Sequence, residues 1–200
     1  MILLPLEYFG SIEYWAYIVQ GGEEVIIDLG ENYVKRTQRN RTEIMTSGGI
    51  MQLSVQLQHD NRLRQPMEHM RIDYSKRWQH QHLIAMKSAY RSSPYYDYYA
   101  ERFDALLNRE WEHLVELNLA TLEAVSATLK IAKPRISHEY VHAENEDTDM
   151  RDKRRVSTFK AEPYVQVFSH IHEFAPNLSI YDLIMCEGPA TVSYLKRCKL

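Results

Sequence analysis

The stretch ENYVKRTQRNRTEI, Glu31 to Ile44, places Lys35, Arg36, Arg39 and Arg41 within seven residues of a chain whose formal net charge is −3. Arginine offers a planar bidentate fork to a phosphate or carboxylate, and lysine a point charge. Lys35, Arg39 and Arg41, with the Asn40 amide among them, therefore form a candidate anion site. Just upstream, Val25-Ile26-Ile27 runs into Asp28, which sets a carboxylate at the carboxyl end of a buried strand, where open α/β sheets keep their ligand crevice. The bland alternative is that these cations decorate a solvated loop and a hairpin strand.

His82 is the second candidate. At about 100° per residue it shares an apolar helical stripe with Trp78, Ala85, Met86 and Ala89. A histidine there is most often a satisfied core residue, but if it borders a pocket, burial keeps it neutral, the state a general base requires. His80 lies about 200° away around the same helix, so the two cannot share a metal. Asn118, central on a later apolar face, needs hydrogen-bond partners either in the core or on a ligand, and a core role is expected. Tyr90, Tyr95, Tyr96, Tyr98 and Tyr99 could stack on a sugar ring, the alternative being that some pack and the rest face solvent. His170-x-His172-Glu173 has no further ligand at convincing spacing, so no metal is expected. The sequence holds no G-x-S-x-G, P-loop or G-x-G-x-x-G, and it names no cofactor.

The elements that position these residues read as strand, helix, strand at the start. Met1–Leu4 is a short apolar run closed by Pro5, Ser11 is an N-cap for a helix ending at Gly21-Gly22, and Val25–Ile27 is the buried strand. Arg41–Met45 and Ile50–Leu57 alternate around T-S-G-G, a hairpin signal. A further strand is expected over Met70–Asp73. Helices follow from Trp78 to about Tyr90, from Tyr95 to Leu107, and along the face Trp111, Leu114, Val115, Leu122, Val125 and Leu129 up to Pro134. Arg135–Val141 is a possible strand. HAENEDTDMRDKRRVSTFK reads as an exposed charged loop over about 143–160. Ser179 caps a helix with Asp182 at its third position, and Pro189 opens a last helix.

Two hundred residues of 23.7 kDa suit a single domain that buries ~70% of its unfolded surface. No apolar run approaches the ~20 residues of a membrane helix, and MILLPLEYFG does not read as a signal peptide. A cytoplasmic protein is expected, with Cys186 and Cys198 as free thiols. A pI near 6.3 argues against nucleic acid as a partner.

The order YFGSIEYWAYI, VIIDLGENYVKRTQRNRTEI, a Gly-Gly turn and LSVQL resembles the amino-terminal signature of the WbqC-like family. The similarity continues through WQHQHLIAMKSAYRSSPYYDYY, YVQVF and PNLSIYDLIMCEGP. This chain departs from the family pattern at Gly10, Leu29, Thr42 and Leu83, and Thr42 excludes a cysteine nucleophile after R-N-R. Lys35, Arg39, Asn40, Arg41, Trp78, His82, Tyr90 and Pro94 stand on matched positions. The resemblance implies an association with surface-polysaccharide genes of the O-antigen type. It also implies one pocket holding an aminoacyl or acyl transferase, with glycine one candidate group. In that reading Lys35, Arg39 and Arg41 hold an anion, Asn40 orients the acceptor, Trp78 and Tyr90 add binding contacts, and His82 or Asp28 is the base. The partners would be an amino sugar or nucleotide sugar and an activated acyl donor. The alternative is a non-catalytic accessory protein of a polysaccharide assembly complex. The fold class expected is α/β, with α+β as the other option: a small mixed sheet with a hairpin, then a mostly helical second half.

Overall fold

A computed structural model describes residues 1–58 and 64–200. Strand β1, Ile2–Pro5, leads through a loop to helix α1, Ile12–Gly21, and strand β2, Val25–Asp28. The Ser11 hydroxyl accepts the Tyr14 backbone N–H at 3.2 Å, satisfying one of the donors a helix start leaves open. Gly22 ends α1 at φ +54°, a conformation cheap only for glycine. β1 and β2 pair in parallel from Ile2 opposite Val25 to Pro5 opposite Asp28.

Strands β3, Arg41–Thr46, and β4, Gly49–Ser54, form the antiparallel hairpin, with Gly49 at φ +102° in the turn. Helices α2, Trp78–Tyr90, α3, Tyr96–Leu107, and α4, Leu114–Leu129, make the middle of the chain. Strands β5, Arg135–Ser137, and β6, Thr148–Asp149, then return to the sheet. Helices α5, Ile180–Glu187, and α6, Thr191–Arg197, close the chain.

The four parallel strands stand in the order β5-β2-β1-β6, and the hairpin is a sheet of its own. The fold is α/β, with its parallel and antiparallel pairings divided between two sheets. α1 packs on the sheet and on α6, α2 packs on β3, and α3 packs on both α2 and α4. One apolar cluster, including Leu4, Phe9, Trp15, Ile27, Trp78, Phe103 and Tyr181, runs through all of these layers.

Three segments differ from the sequence reading. Met70–Asp73 is not a regular strand: after a 3₁₀ turn at Met67–His69, single bridges join Arg71 to His113 and Ile72 to Leu57. Its alternation is real, but the neighbours that bury Met70 and Ile72 are loops and the start of α4, so no ladder propagates. The charged segment after Val141 is not simply an exposed loop. Thr148 donates its backbone N–H to Met1 O and Met150 to Leu3 O, and Arg151 is buried. A two-residue strand is too short to show a period of two. Asp182, finally, turns inward and accepts hydroxyl protons from Tyr90 (2.7 Å) and Tyr164 rather than boxing the helix start. Among the described residues, no helix is long and apolar enough to cross a membrane.

Candidate functional site

The connection from β1 runs to β2 on one side, while β6 returns on the other side of β1. Such a reversal of winding opens a crevice at the carboxyl ends of the strands. A cleft of ≈ 380 Å³ lies there, bounded by the loop after β1 (Pro5, Glu7, Ser11), the segment after β6 (Met150 to Ser157) and the loop leading into β3.

Its walls are held by long-range contacts. Tyr8 donates its backbone N–H to Gln38 O at 3.0 Å, tying the loop after β1 to the cationic loop. Asn118, buried on α4, donates to Arg39 O at 2.7 Å and to Leu6 O at 3.5 Å, so the amide expected to serve the core positions both loops. Phe9 (φ +62°) and Arg36 (φ +63°) take left-handed conformations. Such conformations are strained for non-glycine residues and gather where surrounding structure holds a functional shape. The Trp15 indole N–H holds Phe9 O at 2.7 Å.

Six cations line this cleft, and three are already engaged: Arg39 with Glu31, Arg151 with Asp28 and Asp149, and Arg155 with Glu13. Arg36, Arg41 and Lys153 form no ion pair with any described residue. Among the described residues, four buried side-chain atoms without a hydrogen-bond partner belong to cleft residues: Glu7 Oε2, Tyr14 Oη, Gln38 Oε1 and Arg41 Nε. Buried polar groups are nearly always paired, and these four unpaired atoms belong to separate residues around one cleft.

Glu7 and Tyr14 are both strongly perturbed there. Burial raises the Glu7 carboxyl to about 8; the Arg39 charge and a Ser11 backbone hydrogen bond oppose the rise, and Glu13 and Glu31 add to it. Tyr14 is pushed well above the usual phenol value by burial first and by the Glu7 and Glu31 charges next.

The residues singled out from sequence divide. Arg39, 2% exposed, donates to Glu31 at 2.7 and 2.5 Å, to Arg151 O at 3.1 Å and to Thr37 Oγ1 at 3.2 Å. Its fork is thus occupied within the protein. Asn40 accepts from Tyr33 and donates to Val55 O, clamping the hairpin base. Lys35 is exposed on the same loop outside the cleft, whereas Arg41 faces into it. Asp28, at 0% exposure, accepts from Arg151, Gly30 N–H and Val141 N–H. It stands behind the cleft wall and does not line the cleft.

His82 is elsewhere. It borders a second cavity of ≈ 780 Å³ between the hairpin and α2, 3% exposed, with Nδ1 hydrogen-bonded to the Tyr8 hydroxyl at 3.0 Å. Trp78 packs edge-on to its ring. Tyr90 is fully buried, accepting from Met45 N–H while donating to Asp182. Asp28, His82 and the cations therefore do not line one pocket.

Burial lowers His82 to about 4 from its ordinary 6.5, with a Ser54 backbone hydrogen bond weakly opposing. A depressed folded value means stability present above pH 6.5 and lost as pH falls towards 4. His82→Gln is expected to flatten this acid limb, worth up to ~3 kcal/mol, in melting temperature followed against pH. An unchanged limb would assign it to another group.

Sequence reasoning missed Glu7, Glu13, Tyr14, Arg151 and Lys153. Glu7 had a signal: it lies two residues beyond the end of β1, and the strand-end rule applied to Asp28 holds equally for β1. Arg151 and Lys153 lay within an unperiodic charged stretch and had none.

No curated protein and no solved structure matches this chain. The family model described as the WbqC-like protein family matches residues 7–169, a span that takes in Glu7, the cationic loop and the segment after β6. The chain is a member of the WbqC-like protein family.

Proposed function

We propose that the cleft is the active site of a transferase that joins an acyl or aminoacyl group to an amino sugar, free or nucleotide-linked, in the assembly of a surface polysaccharide. The observation that carries this reading is that, among the described residues, four unpartnered buried polar atoms and three cations free of ion pairs belong to residues around the cleft at the reversal point of the sheet. Arg41, with Arg36 and Lys153, holds the phosphate or carboxylate of a substrate, Arg41 through its free Nε–H. Gln38 and Tyr14 supply hydrogen bonds to the sugar. The polysaccharide setting is what the family resemblance implies.

The test is a thermal-shift screen of sugar phosphates, nucleotide sugars and inorganic phosphate, on the parent and on Arg41→Ala. A ligand at ~100 times its Kd adds ~2.7 kcal/mol of stability, and the shift is expected to vanish in Arg41→Ala. A parent that responds to none of them rejects the reading.

One observation favours an accessory protein instead. Met51 on β4 and Ile84 on α2 are 43% and 52% exposed and border the same second cavity, as a partner-binding patch would. Stoichiometric binding to another protein without affinity for sugar phosphates would support it.

A further inference from the structure

We propose that Glu7 is the group that receives the acceptor's amine and takes its proton, so that the cleft selects ligands carrying both an amine and an anion. This rests on the transferase reading above and gives it a substrate class. The geometry is two-sided. Among the described residues, Arg41 and Lys153 have no ion-pair partner and the buried Glu7 Oε2 has no hydrogen-bond partner.

Glu13, the other buried acid at this wall, is not available. Its oxygens accept from Arg155, from Ser157 Oγ at 2.9 Å and from Asn177 Nδ2 at 3.1 Å. Its charge is satisfied there, yet it still raises Glu7's affinity for a proton. Tyr14, 4% exposed, sets its hydroxyl beside Glu7, with no partner among the described side chains. An ammonium at this point favours the ionised form of Glu7 and so meets one carboxylate oxygen and one phenol oxygen. A neutral sugar hydroxyl would meet the same atoms with no charge to match.

The step balances without further reagents. The amine nitrogen forms the bond to the carbonyl carbon of an activated carboxyl donor, the bond from that carbon to the leaving group breaks, and the leaving group keeps the pair. The proton lost from nitrogen goes to Glu7 Oε2 and from there to the leaving group. A carboxyl titrating at about 8 exchanges protons near neutral pH, where general acid–base catalysis is most effective.

The experiment uses paired probes, glucosamine 6-phosphate and glucose 6-phosphate, which differ only by amine against hydroxyl. The parent is expected to bind the first at least ~10-fold more tightly, a difference of ~1.4 kcal/mol. Glu7→Gln, nearly isosteric, is expected to bind both alike at the glucose 6-phosphate level, and Arg41→Ala to weaken both. Equal binding by the parent, or discrimination that survives in Glu7→Gln, overturns the role of Glu7 and leaves the anion site standing. Binding of neither probe by the parent overturns the site reading and this inference together.

Melting curves without ligand report on folding separately. The raised carboxyl contributes stability below pH 4.5 that is lost as pH rises through about 8. Glu7→Gln should therefore melt above the parent at pH 9 and close to it at pH 5. Parallel curves would show that Glu7 does not titrate there and would overturn its assignment as the proton acceptor.

Discussion

Arg151→Met is expected to cost ~3–5 kcal/mol of folding stability, because it leaves a buried carboxylate without its counter-ion. Arg151 is 7% exposed and serves three groups at once. One amino group reaches Asp28 and Val141 O, while the Nε–H and the other amino group grip Asp149 at 2.9 and 2.6 Å. Its guanidinium also lies over the Tyr140 ring, 4.7 Å from the centroid. Asp28 would keep only the Gly30 and Val141 backbone donors. β6 is held to β1 by two register pairs, so losing this anchor also releases the cleft wall that carries Lys153. The double variant Asp28→Asn/Arg151→Met is expected to recover more than half of the loss, since the uncompensated charge is gone. Denaturant melts decide the matter: a single variant within ~1 kcal/mol of the parent would show that the pair contributes little.

Arg39→Met is the other large effect, again ~3–5 kcal/mol, with a distinctive pH dependence. Burial already raises Glu31 above its ordinary value, even against the paired Arg39. Without that partner the rise becomes larger. A raised carboxyl contributes stability present below its unfolded value and lost as pH increases. The deficit should therefore be small near pH 4 and grow towards pH 8. Glu31→Gln/Arg39→Met should remove the pH dependence. A deficit equal at pH 4 and pH 8 would mean that Arg39 acts through packing alone. Since the Arg39 fork is filled within the protein, loss of ligand binding in this variant would report damage to the loop, whereas Arg41→Ala probes the cleft directly.

The local elements were legible because their causes are local. Ser11 could be read as a cap and Gly22 as a stop. Val25–Ile27 could be read as a buried strand and T-S-G-G as a turn, each decision resting on a few neighbouring residues. The same logic put Asp28 at a strand's end and a dense set of cations near a crevice, and family membership was carried by the linear order of these motifs.

What the chain alone did not decide was which charge meets which. Arg39 and Arg41 are two residues apart and chemically alike, yet one is paired and the other is aimed into the cleft. Arg39's immediate counter-ion Glu31 is eight residues away, but Arg151 reaches Asp28 across 123 residues and Arg155 reaches Glu13 across 142. His82 shows the same limit: helical periodicity placed it on an apolar face, and only the docking of α2 on β3 set which cavity that face borders. Periodicity reports which side of an element is buried. Pairing and pocket membership depend on how distant elements pack, and tertiary structure alone decided them.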